Sequence, residues 1–140
     1  MRFKIFLQYA HHDEDEFEES SGTSDDVLKA FDKFDWAGET KKAAEIQVIS
    51  PTVSVETENG DLIWVSGVDE NEFVSEFTER PTAAKSETKD NWFSRLLKPS
   101  PVFRHDTQNF TRVQARRALE LFSKAEFQSL VAHYREANSS

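Results

Sequence analysis

The stretch HHDEDEFEES, residues 11–20, concentrates the side chains that could bind a metal ion or a charged partner. Six of its ten residues are acids and two are histidines. Neighbouring histidines in an extended chain point to opposite sides, so His11 and His12 chelate one ion poorly. The acids also lack the glycine and the alternating oxygen ligands of an EF-hand loop. We therefore expect no metal ion or other cofactor, and two interpretations stay open: a solvated acidic loop, or a loop that contacts a cationic partner.

A further histidine lies beside an acid at His105–Asp106 and could act as a general base. No serine nucleophile motif accompanies it, and the chain has no cysteine. The surrounding RHDTQNF is typical of an exposed turn with a structural role. The four glycines are scattered, whereas a phosphate-binding loop needs them clustered. The sequence therefore predicts that the protein is not an enzyme. A small hydrolase or ligand-binding enzyme that uses His105 is the less favoured alternative.

The net charge of −9 is unevenly distributed. Residues 1–79 hold 20 acidic and 6 basic residues, and residues 80–140 hold 6 acidic and 11 basic ones. Nucleic acid and anionic membranes repel an acidic surface, so we expect neither as a partner and expect a basic protein instead. The N-terminal MRFKIFLQYAHH lacks the apolar region of a secretory signal. We therefore expect a cytoplasmic protein.

The elements that position these residues begin with a strand. RFKIFLQY alternates apolar and polar residues, which is typical of a half-buried strand. The acidic loop is then expected to run to about Gly22. The next segment, SDDVLKAFDKF, has helical apolar spacing, with Thr23 or Ser24 as its cap. Asp25 and Asp26 occupy its first turn, where the helix dipole favours anions.

The segment DWAGETKKAAEIQ leaves two points open. Gly38 could end the first helix, and a second short helix could run from Glu39 to Glu45. Trp36 could be buried, which is the commoner situation for tryptophan. It could instead be an exposed anchor of an interface, with Asp35 and Glu39 as its charged rim.

The clearest local signal is PTVSVETENGDLIWVSG. Its Asn59-Gly60 pair tolerates the positive φ angles of a two-residue hairpin turn. The pattern predicts strands at Thr52–Thr57 and Leu62–Ser66. EFVSEFT predicts a third strand after a turn at Gly67–Asn71. These three strands form an antiparallel meander, which the first strand can join.

The last part of the chain predicts a loop and two helices. Residues 80–101 contain three of the four prolines and predict a long polar loop, in which NWFSRLL could form a short helix. Thr111 with Gln114 forms a capping box at the start of one helix. Ser123 with Glu126 forms a second box, so we expect a break at Ser123 and a second helix after it.

These elements predict one α+β domain over residues 1–140. A mainly antiparallel sheet of four to five strands is packed against an N-terminal helix and two C-terminal helices. The candidate partner-binding residues are the acids of the first loop and the first helix, with one tryptophan. They are Asp13, Glu14, Asp15, Glu16, Glu18, Glu19, Asp25, Asp26, Asp35 and Trp36.

The chain resembles the small acidic immunity proteins that bacteria make against their own polymorphic or contact-delivered toxins. Three features carry this resemblance: VLKAFDKFDWAGE leading into SPTVSVETENGDLIWVSG, the ending FTRVQARRALELFSKAEFQSLVAHYREA, and the size and acidity of the whole. The resemblance implies a protein that binds a toxin and blocks its basic active-site cleft or an adjacent surface. It assigns no individual binding residue. An acidic adaptor or scaffold domain of a larger complex is the alternative function.

Overall fold

Alternating apolar and polar residues form six strands that pair into one sheet. The computed structural model describes residues 2–12, 16–46, 50–79 and 103–139. The strands are β1 (Phe3–Gln8), β2 (Glu18–Gly22), β3 (Thr52–Thr57), β4 (Leu62–Asp69), β5 (Glu72–Glu79) and β6 (Phe103–Phe110). Their order is β2-β1-β3-β4-β5-β6, and every neighbouring pair is antiparallel. The two outer strands of this sheet are therefore β2 and β6.

Four helices lie in the described part of the chain. They are α1 (Ser24–Lys33), α2 (Trp36–Ile46), α3 (Arg112–Ser123) and α4 (Phe127–Asn138). Capping boxes begin two of them: the Asp26 carboxylate accepts from the Thr23 amide at 2.8 Å, and Gln114 Oε1 accepts from the Thr111 amide at 2.8 Å. None of these helices is long and apolar enough to span a membrane.

One face of the sheet carries the core. The strand register places Ile5, Val55, Ile63 and Phe77 in one row across β1, β3, β4 and β5. All four side chains are at most 2% exposed. Phe122 of α3 lies over this row, with its ring centroid 5.8 Å from that of Phe77. Burial of this apolar row under the helices is the main source of the sheet's stability.

The last helix reaches the same face through a buried hydrogen bond. Tyr134 is 1% exposed, and its hydroxyl lies 2.7 Å from Ser75 Oγ. Ser75 Oγ donates to the backbone carbonyl of Trp64 at 2.8 Å. Because a serine hydroxyl has a single hydrogen, the Tyr134 hydroxyl must donate to Ser75. Burial raises the pKa of Tyr134, which keeps the phenol protonated as a donor.

The α+β class and the antiparallel sheet are confirmed, but the predicted strand count is too low. Two segments predicted as a loop and an exposed turn are strands. β2 lies inside the predicted acidic loop, and β6 contains His105 and Asp106. Both are edge strands, whose polar residues do not show the apolar alternation of a central strand.

The prediction that Gly38 ends the first helix is wrong. α1 ends at Lys33, and α2 begins at Trp36 and not at Glu39. The Asp35 carboxylate accepts a hydrogen bond from the Gly38 amide at 3.1 Å, which caps the start of α2. An aspartate followed three residues later by glycine can therefore begin a helix here, although glycine more often follows a helix end.

The predicted β3–β4 hairpin is confirmed, but its turn is not the predicted two-residue one. The Thr57 amide donates to the Asp61 carbonyl at 3.0 Å, so three residues, 58–60, form the loop. Among the described residues other than glycine, only Ala125 has a positive φ, so Asn59 does not. β3 has the predicted bounds, and Gly60 has a φ of 93°, in the left-handed region that glycine adopts without a steric penalty. β4 runs beyond its predicted end at Ser66 and stops at Asp69. The turn to β5 is correspondingly shorter than predicted.

The two C-terminal helices are confirmed, but the second predicted capping box is wrong. Ser123 is the last residue of α3, and its hydroxyl donates to the Glu120 carbonyl at 3.0 Å. Glu126 precedes α4 and makes no capping hydrogen bond through its side chain. Ala125 takes a positive φ of 59° and turns the chain between the helices. The predicted loop at 80–101, including NWFSRLL, lies outside the described residues.

Candidate functional site

The strand β2 presents carboxylates on both faces of the sheet edge. Glu18 pairs with Leu7 and Glu19 pairs with Phe6 in the β1–β2 register. Because neighbouring residues of a strand point to opposite faces, Glu18 lies on the helix-covered face and Glu19 lies on the other face. Both residues are exposed. The edge therefore projects negative charge in two directions.

The carboxylates of β2 make no direct ion pair within the part of the chain that the structure describes. Among the described residues, no ion pair joins Glu18 or Glu19 to a lysine or arginine. Glu16, just before β2, is also exposed, and its backbone carbonyl accepts from the Gln8 side chain at 3.1 Å. The exposed carboxylates of Glu18 and Glu19 create a negative potential at this edge that attracts a cationic partner.

An aromatic cluster lies beside these acids at the end of β1. The half-buried Tyr9 ring stacks on Phe34, with centroids 5.0 Å apart and an interplanar angle of 5°. It also contacts the rings of His11 and His12, at 5.8 and 5.4 Å. His12 Nδ1 accepts a hydrogen bond from the Tyr9 amide at 3.0 Å, which fixes the turn that follows β1. The ring of Tyr9 is therefore fixed in place by its neighbours and remains partly exposed to solvent.

The carboxylate of Glu39 ties this turn to α2. Glu39 is 7% exposed, and its Oε1 accepts from the buried Ala10 amide at 2.9 Å. Its Oε2 lies 3.3 Å from Lys42 Nζ. Burial raises the pKa of Tyr9, and the negative charges of Glu18 and Glu39 raise it further. Tyr9 therefore sits in the negative field of acids on two different elements.

The acids Asp25 and Asp26 lie at the opposite end of β2. The five residues of β2 span about 14 Å at a rise of ~3.4 Å per residue. Hydrogen bonds from the Thr23 backbone and side chain lower the pKa of Asp26, and the nearby charges of Lys29 and Arg2 lower it further. Because this carboxylate caps α1 and lies near two cations, its main role is to stabilise the start of that helix.

Trp36 is not the exposed anchor that the sequence allowed. Its side chain is 1% exposed, its Nε1 donates to the Phe31 carbonyl at 3.1 Å, and its ring lies 4.9 Å from Phe73. The buried alternative is confirmed, because the first turn of α2 packs directly on the sheet. Asp35 is exposed beside it and caps α2. Two partly exposed aromatic side chains lie near the acids: Phe17, which is 40% exposed, and the half-buried Tyr9 at the end of the β1 alternation.

The structure divides the predicted binding residues into groups. Glu16, Glu18 and Glu19 lie along β2 and the residues just before it, with Glu18 near Tyr9, and we call these four residues the acidic edge. Asp25 and Asp26 lie about one strand length away, and Trp36 is buried. Three further predicted residues lie outside the described part of the chain: Asp13, Glu14 and Asp15. The residues that the structure describes contain no group of three or more acids or histidines that could hold a metal ion.

The pair His105–Asp106 does not form an acid–base dyad. Both residues lie on β6, so their side chains point to opposite faces, and the prediction of an exposed turn is wrong. The half-buried His105 ring stacks on Phe77, with centroids 5.9 Å apart. His105 therefore packs on a core residue of the neighbouring strand.

Comparison of the chain with known protein families, curated proteins and solved structures gives no match. The immunity-protein resemblance therefore stays a prediction. The charge and geometry of the acidic edge are the features from which a function can be inferred.

Proposed function

We propose that this chain is a non-enzymatic, protein-binding inhibitor. It is an immunity protein that neutralises a cognate bacterial toxin in the cytoplasm of the cell that makes it. It does so by blocking the toxin's basic active-site cleft or an adjacent surface. The observation that supports the proposal best is the pair Glu18 and Glu19. These exposed carboxylates project from both faces of an outer strand, and no cation among the described residues pairs with them.

The charge of the edge suits rapid capture of a basic protein. Complementary charge can raise association rate constants from about 10⁵–10⁶ to ~10⁸–10⁹ M⁻¹s⁻¹ at low salt. An inhibitor of a lethal enzyme needs this speed, because free toxin acts until it is bound. The net charge of −9 extends the attraction beyond the edge itself.

Tyr9 supplies the apolar part of such an interface. Interfaces commonly place an aromatic anchor at the centre and charged residues at the rim. Tyr9 is held by Phe34 on one side and lies close enough to Glu18 for that charge to raise its pKa. An aromatic ring that is already fixed loses little conformational entropy on binding. Burial of this ring in a complex would slow dissociation.

Two alternatives make different predictions. An acidic adaptor would use the same surface to hold a stable partner that is harmless to the cell. A hydrolase would need His105 and a carboxylate to face one substrate. The side chains of His105 and Asp106 point to opposite faces of the sheet, which favours binding over catalysis.

The test is capture of the partner, followed by a growth assay. The tagged chain is used to isolate its partner from the native cells, and the partner is then expressed alone and together with the chain. We expect growth arrest by the partner alone and growth with the chain present. A partner that is harmless when expressed alone would support the adaptor. Turnover of a substrate by the purified chain would contradict a non-enzymatic role.

A pair of double variants shows whether the acidic edge carries the protection. Glu18→Lys with Glu19→Lys reverses two charges on β2 and should abolish protection. Glu126→Lys with Glu136→Lys makes the same change of net charge at exposed positions at the two ends of α4, which packs near the opposite sheet edge. The second variant should protect as well as the unmodified chain. Equal protection by both variants would show that the acidic edge is not the surface that binds the toxin.

A further inference from the structure

The two outer strands of the sheet differ in how they are protected. On β6, the Asn138 side chain of α4 donates to the Asp106 carbonyl at 2.8 Å. The β5–β6 register is also irregular between Phe73 and Ser75. A side chain bound to the strand and a local irregularity both discourage pairing with another strand. The β6 edge is thus partly closed.

Within the described ranges, no side chain binds the backbone of β2, although Arg2 donates to the Ser21 hydroxyl at 3.2 Å, and the β1–β2 register is regular. Four of its five residues are exposed, and β1 is its only strand neighbour in the described part of the chain. In an antiparallel pair, alternate residues direct their N–H and C=O groups away from the partner strand. On β2 these outward groups meet no other strand within the described ranges. An unpaired row of this kind is a template for strand addition.

We propose that the β2 edge binds an extended, basic strand of the partner by β-strand addition. This inference rests on the proposed function and names its binding mode. Consecutive residues of an added strand alternate between the two sheet faces, and so do Glu18 and Glu19. Two successive lysines or arginines of the partner would therefore each face one of these carboxylates across the strand pair.

The apolar contact at the start of β2 supports the same occupant. Phe17 is 40% exposed and packs edge-to-face on Phe6, with ring centroids 5.3 Å apart. Phe17 and Glu19 are two residues apart and share the sheet face that Phe6 occupies. A strand added beside β2 would cover the exposed part of Phe17 while its cations meet the carboxylates.

A second copy of this chain fits the edge poorly. Full antiparallel pairing of two β2 strands would place Glu18 opposite Gly22 and Glu19 opposite Ser21 of the other copy, so the copy offers no cation to either carboxylate. A register shifted by two residues would place the two Glu19 side chains opposite one another. Like charges directly opposite one another destabilise a strand pair. The edge charge thus disfavours self-association and selects a basic strand, which is the discrimination that an inhibitor needs.

Amide hydrogen exchange, followed by NMR, tests the inference on the full chain. The probe is a short synthetic peptide with two adjacent lysines in a threonine and valine sequence, added at millimolar concentration and low salt. We expect exchange to slow about tenfold or more at alternate residues of 18–22, because only backbone pairing protects outward amides. The same peptide with glutamates in place of the lysines should protect none of them. A lysine peptide methylated on alternate backbone nitrogens should also fail.

The double variants give the matched control. Glu18→Lys with Glu19→Lys should lose the protection, and Glu126→Lys with Glu136→Lys should keep it. The inference is overturned if the lysine peptide leaves exchange at 18–22 unchanged, or if the methylated peptide protects equally well. Protection elsewhere by a toxin partner that the chain neutralises would leave the function standing and reject strand addition. Protection of β2 by the peptide, without capture of a toxic partner, would support strand addition and reject the proposed function.

Discussion

The Glu39 carboxylate holds the turn of Tyr9 against α2, and removing it tests how this part of the site is built. Glu39→Ala removes the acceptor of the Ala10 amide, which is buried. Glu39→Gln keeps an oxygen at the same place and removes only the charge. Glu45→Ala is the control, because Glu45 is an exposed glutamate on the same helix.

The size of the effect follows from the two partners of Glu39. A buried amide left without an acceptor costs about 1–3 kcal/mol. The Lys42 side chain is 58% exposed, so its ion pair with Glu39 adds at most about 1 kcal/mol. Alanine has a higher helix propensity than glutamate, which offsets the loss by roughly a few tenths of a kcal/mol. We therefore expect Glu39→Ala to lower the free energy of unfolding by about 2–3 kcal/mol and Glu39→Gln by about 1 kcal/mol or less.

Urea unfolding at neutral pH measures these differences. Glu45→Ala should change the free energy of unfolding by less than about 0.5 kcal/mol, because it removes no buried contact. Equal losses for Glu39→Gln and Glu39→Ala would mean that charge, and not the hydrogen bond to Ala10, dominates. A loss for Glu39→Ala as small as that of the control would refute the reasoning.

Three further predictions concern the cap of α1 and the buried hydroxyl pair. The pKa of Asp26 is lowered in the folded state, so its stabilisation is complete above its ordinary value of 3.8 and is lost as the pH falls through the folded-state pKa. In urea unfolding, Asp26→Asn should thus be less stable than the unmodified chain at pH 6. The difference in the free energy of unfolding between the two chains should become smaller towards pH 3. An equal difference at both pH values would contradict a stabilising role for the ionised Asp26 carboxylate. Gly22→Ala places a Cβ against the Asp26 side chain and should cost about 1–3 kcal/mol in thermal or urea unfolding. The cost should fall in an Asp26→Gly background, which removes both the carboxylate and the Cβ that the new methyl group would meet, and an unchanged cost would place the clash elsewhere. Ser75→Ala should lower the free energy of unfolding by about 1–3 kcal/mol, because it leaves the buried Tyr134 hydroxyl without its hydrogen-bond acceptor. Tyr134→Phe should lower it by about 1 kcal/mol. The double variant should lose less than the sum, and strict additivity would show that the hydroxyls do not interact.

Local chemistry made several elements predictable from the sequence. Gly60 marked the β3–β4 turn, because glycine adopts the positive φ that this turn needs without a steric penalty. The apolar spacing of the first helix and the Thr111–Gln114 box likewise located α1 and α3. In each case the signal lies within a few residues, so no tertiary contact was needed to read it.

The outer strands and the aromatic anchor could not be predicted in this way. β2 reads EESSG, and only pairing with β1 makes it a strand. β6 is equally polar along much of its length. The sequence left the exposure of Trp36 open, and it is buried because α2 begins at Trp36 and packs it on the sheet. Tyr9, at the end of the β1 alternation, is only half-buried. Such outcomes depend on packing between distant elements.

The most direct test of the acidic edge is the salt dependence of association with the captured partner, measured by stopped flow. The unmodified chain should associate fast at low salt and slow steeply as salt is added. Glu18→Lys with Glu19→Lys should associate about tenfold more slowly at low salt and depend less on salt, while Glu126→Lys with Glu136→Lys should behave like the unmodified chain. Equal rates and equal salt dependence for the two double variants would contradict the assignment of binding to the acidic edge.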